Sequence, residues 1–229
     1  CMPSWTSANP FFSTANPAPT MALDTESFDL LLPTLQRFIR ERLIPAEDHL
    51  EEHDDVPLDI VQDMKDMGLF GLTVPEEFGG IGLSVSQEVL VNYELGRTAP
   101  AFRSVFGTNI GIGSQGIIID GTAEQKAKYL PALASGEMIA SFALTEPDAG
   151  SDAGSLRTTA RRDGDHFVLN GTKRYITNAS RADVFTVFAR TNPETKGSSG
   201  VSANSSCAGS CCTVAVAVNV SVSPWRVRL

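Results

Sequence analysis

The sequence predicts an α+β chain, an all-α helical bundle followed by an antiparallel β domain. Three observations carry that expectation. From residue 24 to about 135, apolar residues recur at three- and four-residue steps, with short loops between the runs. At Met138 the apolar period drops to two. Beyond it, Asp163-Gly164 and Asn170-Gly171 separate short β-rich runs, as two-residue hairpin turns do. Helical runs followed by strand runs give segregated architecture rather than an alternating α/β one.

The chain divides into a disordered leader (1–23), a helical domain (24–136), an incomplete β-barrel-like domain (137–203) and an aberrant low-complexity tail (204–229). The first 20 residues hold four prolines and no charge, so they lack the basic and apolar regions of a secretory signal. A natural start at Met21 is expected. The 229 residues are 42% hydrophobic and 20% charged, enough apolar material to build a core and too much for a disordered chain. A net charge of −9 argues against a nucleic-acid partner, which would require a basic face. No apolar run is long enough to span a membrane. Cysteine occurs only at Cys1, Cys207, Cys211 and Cys212, so no disulfide framework supports the body of the chain and a cytoplasmic protein is expected.

The helical part begins at Asp24, where Phe28, Leu31, Leu35, Phe38, Ile39 and Leu43 form one stripe that Pro45 bends or interrupts. His49 and His53 sit four apart among acidic residues and read as a solvated face rather than as metal ligands. A short helix over 58–67 stops at Gly68. In the following Leu72-Thr-Val-Pro-Glu-Glu-Phe-Gly-Gly-Ile-Gly82, the glycines make a packing turn; no βαβ unit surrounds them to form a dinucleotide site. Ser84 with Gln87, and Thr122 with Gln125, are capping boxes that open two helices. Between them a glycine-containing apolar helix covers about 101–119, and Pro131 bends the last helix before Gly136.

Strands are expected over 139–144, 156–160, 166–169, 173–176 and 184–189. His166 lies on a strand beside a turn, with no chemical role. From Ser198 to Trp225 there is no charged residue, and Thr213 to Val222 alternates valine with small residues in a half-buried strand pattern. Three cysteines in that region lack a fourth ligand, and no metal site is assigned.

Two segments look chemical. Ala143-Leu-Thr-Glu-Pro-Asp-Ala-Gly-Ser-Asp-Ala-Gly-Ser155 passes from an apolar strand into small, hydroxyl and turn-forming residues. Arg174-Tyr-Ile-Thr-Asn178 places an aromatic and a hydroxyl two residues apart. Small side chains let backbone and hydroxyl donors approach a planar or anionic ligand closely. Taken alone, Thr145 and Thr177 read equally well as ordinary strand threonines. Glu146 reads as a loop-fixing carboxylate and Asp148 as a turn residue, ahead of a catalytic pair.

The first segment resembles the signature of the acyl-CoA dehydrogenases. Residues 72–80 and 175–178 resemble two further segments of that family, in its order, and the resemblance covers about 24–203. It implies FAD as cofactor and an acyl-CoA thioester as substrate. The activity implied is α,β-dehydrogenation to the trans-2-enoyl-CoA with hydride passing to flavin N5, as in fatty-acid β-oxidation. By resemblance, Phe142, Ala143, Leu144, Thr145, Gly150 and Ser151 contact FAD, with Thr145 on the pyrimidine side of the ring. Tyr175 takes a position usually held by tryptophan and packs on the ring beside Ile176, and Thr177 bonds near N5. Ser151 also faces the CoA part of the substrate, and Thr108 lies toward the acyl pocket, although no motif fixes its alignment.

The family's acceptor is an electron-transfer flavoprotein and its members are homo-oligomers. An acyl-CoA oxidase, a glutaryl-CoA-type dehydrogenase or an inactive fragment are the alternatives. The family's catalytic base and dimer contacts come from a C-terminal bundle that this sequence is expected to lack, so no catalytic residue is assigned and an oligomer is not expected of this chain.

Overall fold

The computed structural model describes residues 23–164, 166–192, 201–202, 214–217 and 225–228. The expected leader up to residue 22 and all four cysteines lie outside those residues. Helix α1 (Thr25–Phe38) opens at Asp24, whose carboxylate accepts from the Ser27 amide at 2.9 Å. The helix then loosens into a π-turn (Ile39–Leu43) and a 3₁₀ turn (Ile44–Ala46) around Pro45 before α2 (Glu47–His53). Pro45 interrupts the run as expected, since it cannot donate to the preceding turn.

Helix α3 (Leu58–Asp66) is followed by Gly68 in the left-handed region at φ 71°. The glycine turn folds back tightly: a Cβ on Gly80 would come within 1.9 Å of the Val74 carbonyl oxygen. That close approach is why a side chain is excluded there.

Both capping boxes form, at the start of α4 (Val85–Leu95) and of α7 (Ala123–Ala134). The single helix expected over 101–119 is two, α5 (Pro100–Ile110) and α6 (Gln115–Asp120). Gly111 leaves helical geometry, and Gly113 passes so close to Ala140 that an added Cβ would lie 2.5 Å from that residue's Cβ. The break lets α5 end against the first strand. Phe28, Leu35, Phe70, Phe102 and Phe106 centre the helical core, and no helix among the described residues is long and apolar enough to cross a membrane.

The strands are β1 (Ala140–Ala143), β2 (Thr159–Asp163), β3 (His166–Asn170), β4 (Val184–Val187), β5 (Ala189–Arg190), β6 (Val201–Ser202), β7 (Val214–Ala217) and β8 (Trp225–Arg228). They form one sheet in the order β1-β4-β7 and another in the order β6-β5-β2-β3-β8. The α+β class therefore holds, but the sheets are mixed. The β2–β3 hairpin is antiparallel around Gly164, whereas β1 and β4 run parallel from Ala140↔Val184 to Ala143↔Val187, and β2 meets β5 parallel at Thr159↔Arg190. The physical reason is the long excursion between β1 and β4, which returns the chain to the end where β1 began. Strand β7 lies within the valine alternation of the tail and pairs antiparallel with β4.

Three further expectations are corrected. The second strand starts at Thr159 rather than 156, behind a 3₁₀ turn at Ala153–Ser155. Residues 173–176 form no strand, and Asn170-Gly171 is no hairpin turn. Tyr175 has φ 58°, which a strand cannot accommodate. The Arg174 amide donates instead to the Thr145 carbonyl, and Lys173 reaches 144–146 with its side chain.

Candidate functional site

The site grows out of the end of β1. After Ala143 the chain turns back on itself: Glu146 and Ala149 exchange backbone hydrogen bonds at 2.8 and 3.3 Å. Pro147 and Asp148 form the exposed tip of that turn, where Asp148 meets Arg157 at 3.2 Å. Glu146 points inward. Its carboxylate accepts from the Arg157 amide at 2.6 Å, the Thr158 amide at 2.9 Å and Lys173 Nζ at 2.9 Å. Burial works to raise this carboxyl, but hydrogen bonds from Thr158, the Arg157 amide and Lys173 outweigh it and hold the group at about 2. A carboxylate so engaged cannot accept a substrate proton, so Glu146 fixes the loop, as its sequence context suggests.

The segment after β3 lies antiparallel beside this turn. The Arg174 amide donates to the Thr145 carbonyl at 2.9 Å, and Lys173 Nζ donates to the Leu144 carbonyl at 2.8 Å. Four residues further back on β1, Ser141 donates its hydroxyl to the Thr177 carbonyl at 2.6 Å. Asn178 closes the segment in the left-handed region at φ 61°, donating to Thr108 Oγ1 at 2.9 Å and to the Ser104 carbonyl at 3.0 Å. Three pieces of chain, β1 with its turn, residues 173–178 and helix α5, are thereby held in one cluster.

Within this cluster the expected site residues are distributed unequally. Ala143 is buried, and Phe142 packs a half-buried ring on Phe188 with centroids 4.9 Å apart. Leu144 and Ile176 are half-buried against separate apolar clusters. Gly150 and Ser151 are exposed, and an added Cβ on Gly150 would meet nothing within 4 Å. Tyr175 is 81% exposed, with the Arg174 guanidinium 5.1 Å from its ring centre. Thr108 is buried and its hydroxyl already serves Asn178.

Thr145, Ser151 and Thr177 differ from Thr108: among the described residues their hydroxyls make no internal hydrogen bond. A planar aromatic cofactor needs placed donors and an apolar surface to pack on, and these hydroxyls with the exposed Tyr175 ring fit that need. The residues present are therefore compatible with a flavin. Among the described residues, no group of three or more His, Cys, Asp or Glu side chains could hold a metal ion. His49 and His53 stack 4.2 Å apart on the exposed face of α2.

Reading the sequence did not single out Ser141, Lys173 or Asn178 for the site. Asn178 carried one usable signal, since asparagine tolerates left-handed geometry better than other non-glycine residues. Lys173 and Ser141 carried none, because their partners lie roughly 30 residues away in sequence.

Comparison with known proteins completes the description. A family profile described as acyl-CoA dehydrogenase, N-terminal domain, matches residues 25–137, and one for the middle domain matches 141–213. An acyl-CoA dehydrogenase of Bacillus subtilis is 39% identical over 179 residues, which is 78% of this chain and 47% of that protein. A (2S)-methylsuccinyl-CoA dehydrogenase of Cereibacter sphaeroides is 44% identical over 178 residues, which is 77% of this chain and 32% of that protein. The solved structure of an acyl-CoA dehydrogenase complexed with FAD from Bacillus anthracis is 42% identical, with a TM-score of 0.65, and the match covers 73% of this chain and 30% of that one. The chain spans less than half the length of each of these three relatives. Two profiles in consecutive order and relatives of this identity lead to one conclusion: the chain belongs to the acyl-CoA dehydrogenase family.

Proposed function

We propose that the chain forms part of an FAD-dependent acyl-CoA dehydrogenase and contributes one wall of its cofactor site. The observation that supports this most directly is the docking of two motif segments side by side, with the Thr145, Ser151 and Thr177 hydroxyls free of internal partners among the described residues and Tyr175 exposed beside them. FAD, when bound, supplies the two-electron acceptor for hydride leaving the acyl β-carbon. In this reading Thr145 would donate to the pyrimidine side of the ring system and Thr177 near N5, Tyr175 and Ile176 would pack on it, and Phe142 to Leu144 would form the strand edge behind it. Gly150 and Ser151 leave room for the phosphate-bearing part of the cofactor and for the CoA portion of the substrate. Thr108 acts from behind, orienting Asn178 at the acyl side.

No residue of this chain is assigned as the base that removes the α-proton. Glu146 is unsuited, because three donors occupy its carboxylate and leave it only weakly basic. The electron acceptor in this reading is an electron-transfer flavoprotein; direct reaction with oxygen would instead mark an oxidase of the same superfamily.

The test is a visible absorbance spectrum of the purified chain after incubation with FAD and desalting. Retained flavin bands, bleached anaerobically by an acyl-CoA, are the expected result. A colourless protein would show that this wall alone does not retain FAD; retained flavin whose spectrum Thr177→Ala leaves unchanged would overturn the wall assigned here.

A further inference from the structure

Lys173 stands out as a buried ammonium with no place in the reading above. Its side chain is 14% exposed and that of its partner Glu146 is 6% exposed, with Nζ and Oε1 2.9 Å apart. The same Nζ reaches the Leu144 carbonyl at 2.8 Å. Through Glu146 it is linked to the Arg157 and Thr158 amides, so one cation ties together three segments: 144–146, 157–158 and the start of 173–178.

Stability alone does not account for this arrangement. Burial lowers the Lys173 ammonium from its ordinary value even against the raising pull of Glu146. Taking an ion pair out of water recovers its desolvation cost poorly, and an apolar pair of similar volume often serves as well. What such a pair can provide is a defined register, since here one placement of the two segments satisfies both charges. The next bond along shows that register: Arg174 N meets Thr145 O at 2.9 Å.

We propose that Lys173 is a positioning residue whose ammonium, seated on Glu146 and the Leu144 carbonyl, docks residues 174–178 onto the signature turn and so sets the spacing between Thr145 and Thr177. The flavin-facing consequence rests on the function proposed above; the docking itself does not. Lys173 touches neither cofactor nor substrate in this account and acts through the segments it holds.

The experiment compares Lys173→Met, Lys173→Arg and Asp148→Asn with the unaltered full chain. Asp148→Asn removes an exposed ion pair from the same turn, where the Asp148 and Arg157 side chains are 68% and 78% exposed, and serves as the control. Two quantities are read: hydrogen exchange of the Arg174 amide without FAD, and FAD affinity from flavin fluorescence. Lys173→Met should speed that exchange and weaken FAD binding, each on the order of tenfold, as loss of a charged hydrogen bond implies. Lys173→Arg should recover most of both, and Asp148→Asn should match the unaltered chain.

Unchanged Arg174 exchange in Lys173→Met would overturn the proposal, as would exchange that rises equally in every strand. Failure of the unaltered chain to bind FAD would show that this wall does not retain the cofactor alone, leaving Arg174 exchange to decide the docking. Should Lys173→Met lose its fold by circular dichroism, the double variant Glu146→Gln with Lys173→Met removes the orphaned charge and carries the same comparison.

Discussion

At the scale of single residues, Glu146 and Asn178 do most to shape the site. The folded-state pKa of Glu146 is depressed, so its contribution to stability is fully present above the unfolded value of 4.5 and is lost as pH falls toward about 2. Urea midpoints measured across that window should fall steadily, and Glu146→Gln should flatten the slope while lowering stability at neutral pH. Asn178→Ala should destabilise by about 1–3 kcal/mol, because it removes two hydrogen bonds and puts alanine, which tolerates left-handed geometry less well than asparagine, at this position. Asn178→Gly keeps the backbone and should lose less; equal losses in urea titrations would mean that the geometry is unimportant. Both residues stood inside motifs that the sequence displayed. Glu146 was legible as a loop anchor because a carboxylate before Pro-Asp in a turn has little else to do. The Asn178 contacts were not legible, since Ser104 and Thr108 lie 74 and 70 residues away.

At the scale of elements, what was local was legible and what was not local was missed. The two capping boxes, the stop at Gly68, the interruption at Pro45 and the hairpin at Gly164 all rest on residues within one turn of each other, and all form as read. The strand expected over 173–176 failed because Asn-Gly and an aromatic satisfy strand chemistry locally, while tertiary hydrogen bonds to 144–146 outbid it. The break between α5 and α6 was missed for a related reason: Gly113 is needed for contact with Ala140, which no periodicity reveals. Glycines of different origin should respond differently to substitution. Gly80→Ala, with no room beside Val74, should cost about 3 kcal/mol or more. Gly164→Ala meets open space and should cost only about 1 kcal/mol, from its positive φ. Thermal melts of the two variants settle this, and a reversed order would contradict the packing described.

At the scale of the molecule, the helical part and the sheets are joined through Asn109. That side chain is fully buried on α5; it donates to the Leu133 and Met138 carbonyls at 2.9 and 2.8 Å and accepts from the Ala140 amide at 2.8 Å. Nearby, Thr186 on β4 donates to the Gly113 carbonyl at 3.0 Å. Val74, Ile117, Leu130, Leu133, Ala140 and Val184 form an apolar cluster across the same junction. Asn109→Ala would strand buried backbone groups on both sides and should destabilise by about 2–4 kcal/mol. Its signature should be faster exchange of the Ala140 amide ahead of the helical core. Simultaneous loss everywhere would show that the junction is no separate unit.

The sequence by itself determined the α+β class, the order of helices before strands, the helix caps and the hairpin at Gly164, and the two motifs that mark the family. Each is written in spacing or in a contiguous run, and short-range sterics and hydrogen bonds are enough to read it. The tertiary structure alone decided the parallel pairing of β1 with β4, the docking of 173–178 onto the signature turn, and the choice of Lys173, Ser141 and Asn178 to hold it. Those outcomes depend on which partners meet across dozens of residues, where burial and charge pairing, not local propensity, set the free energy.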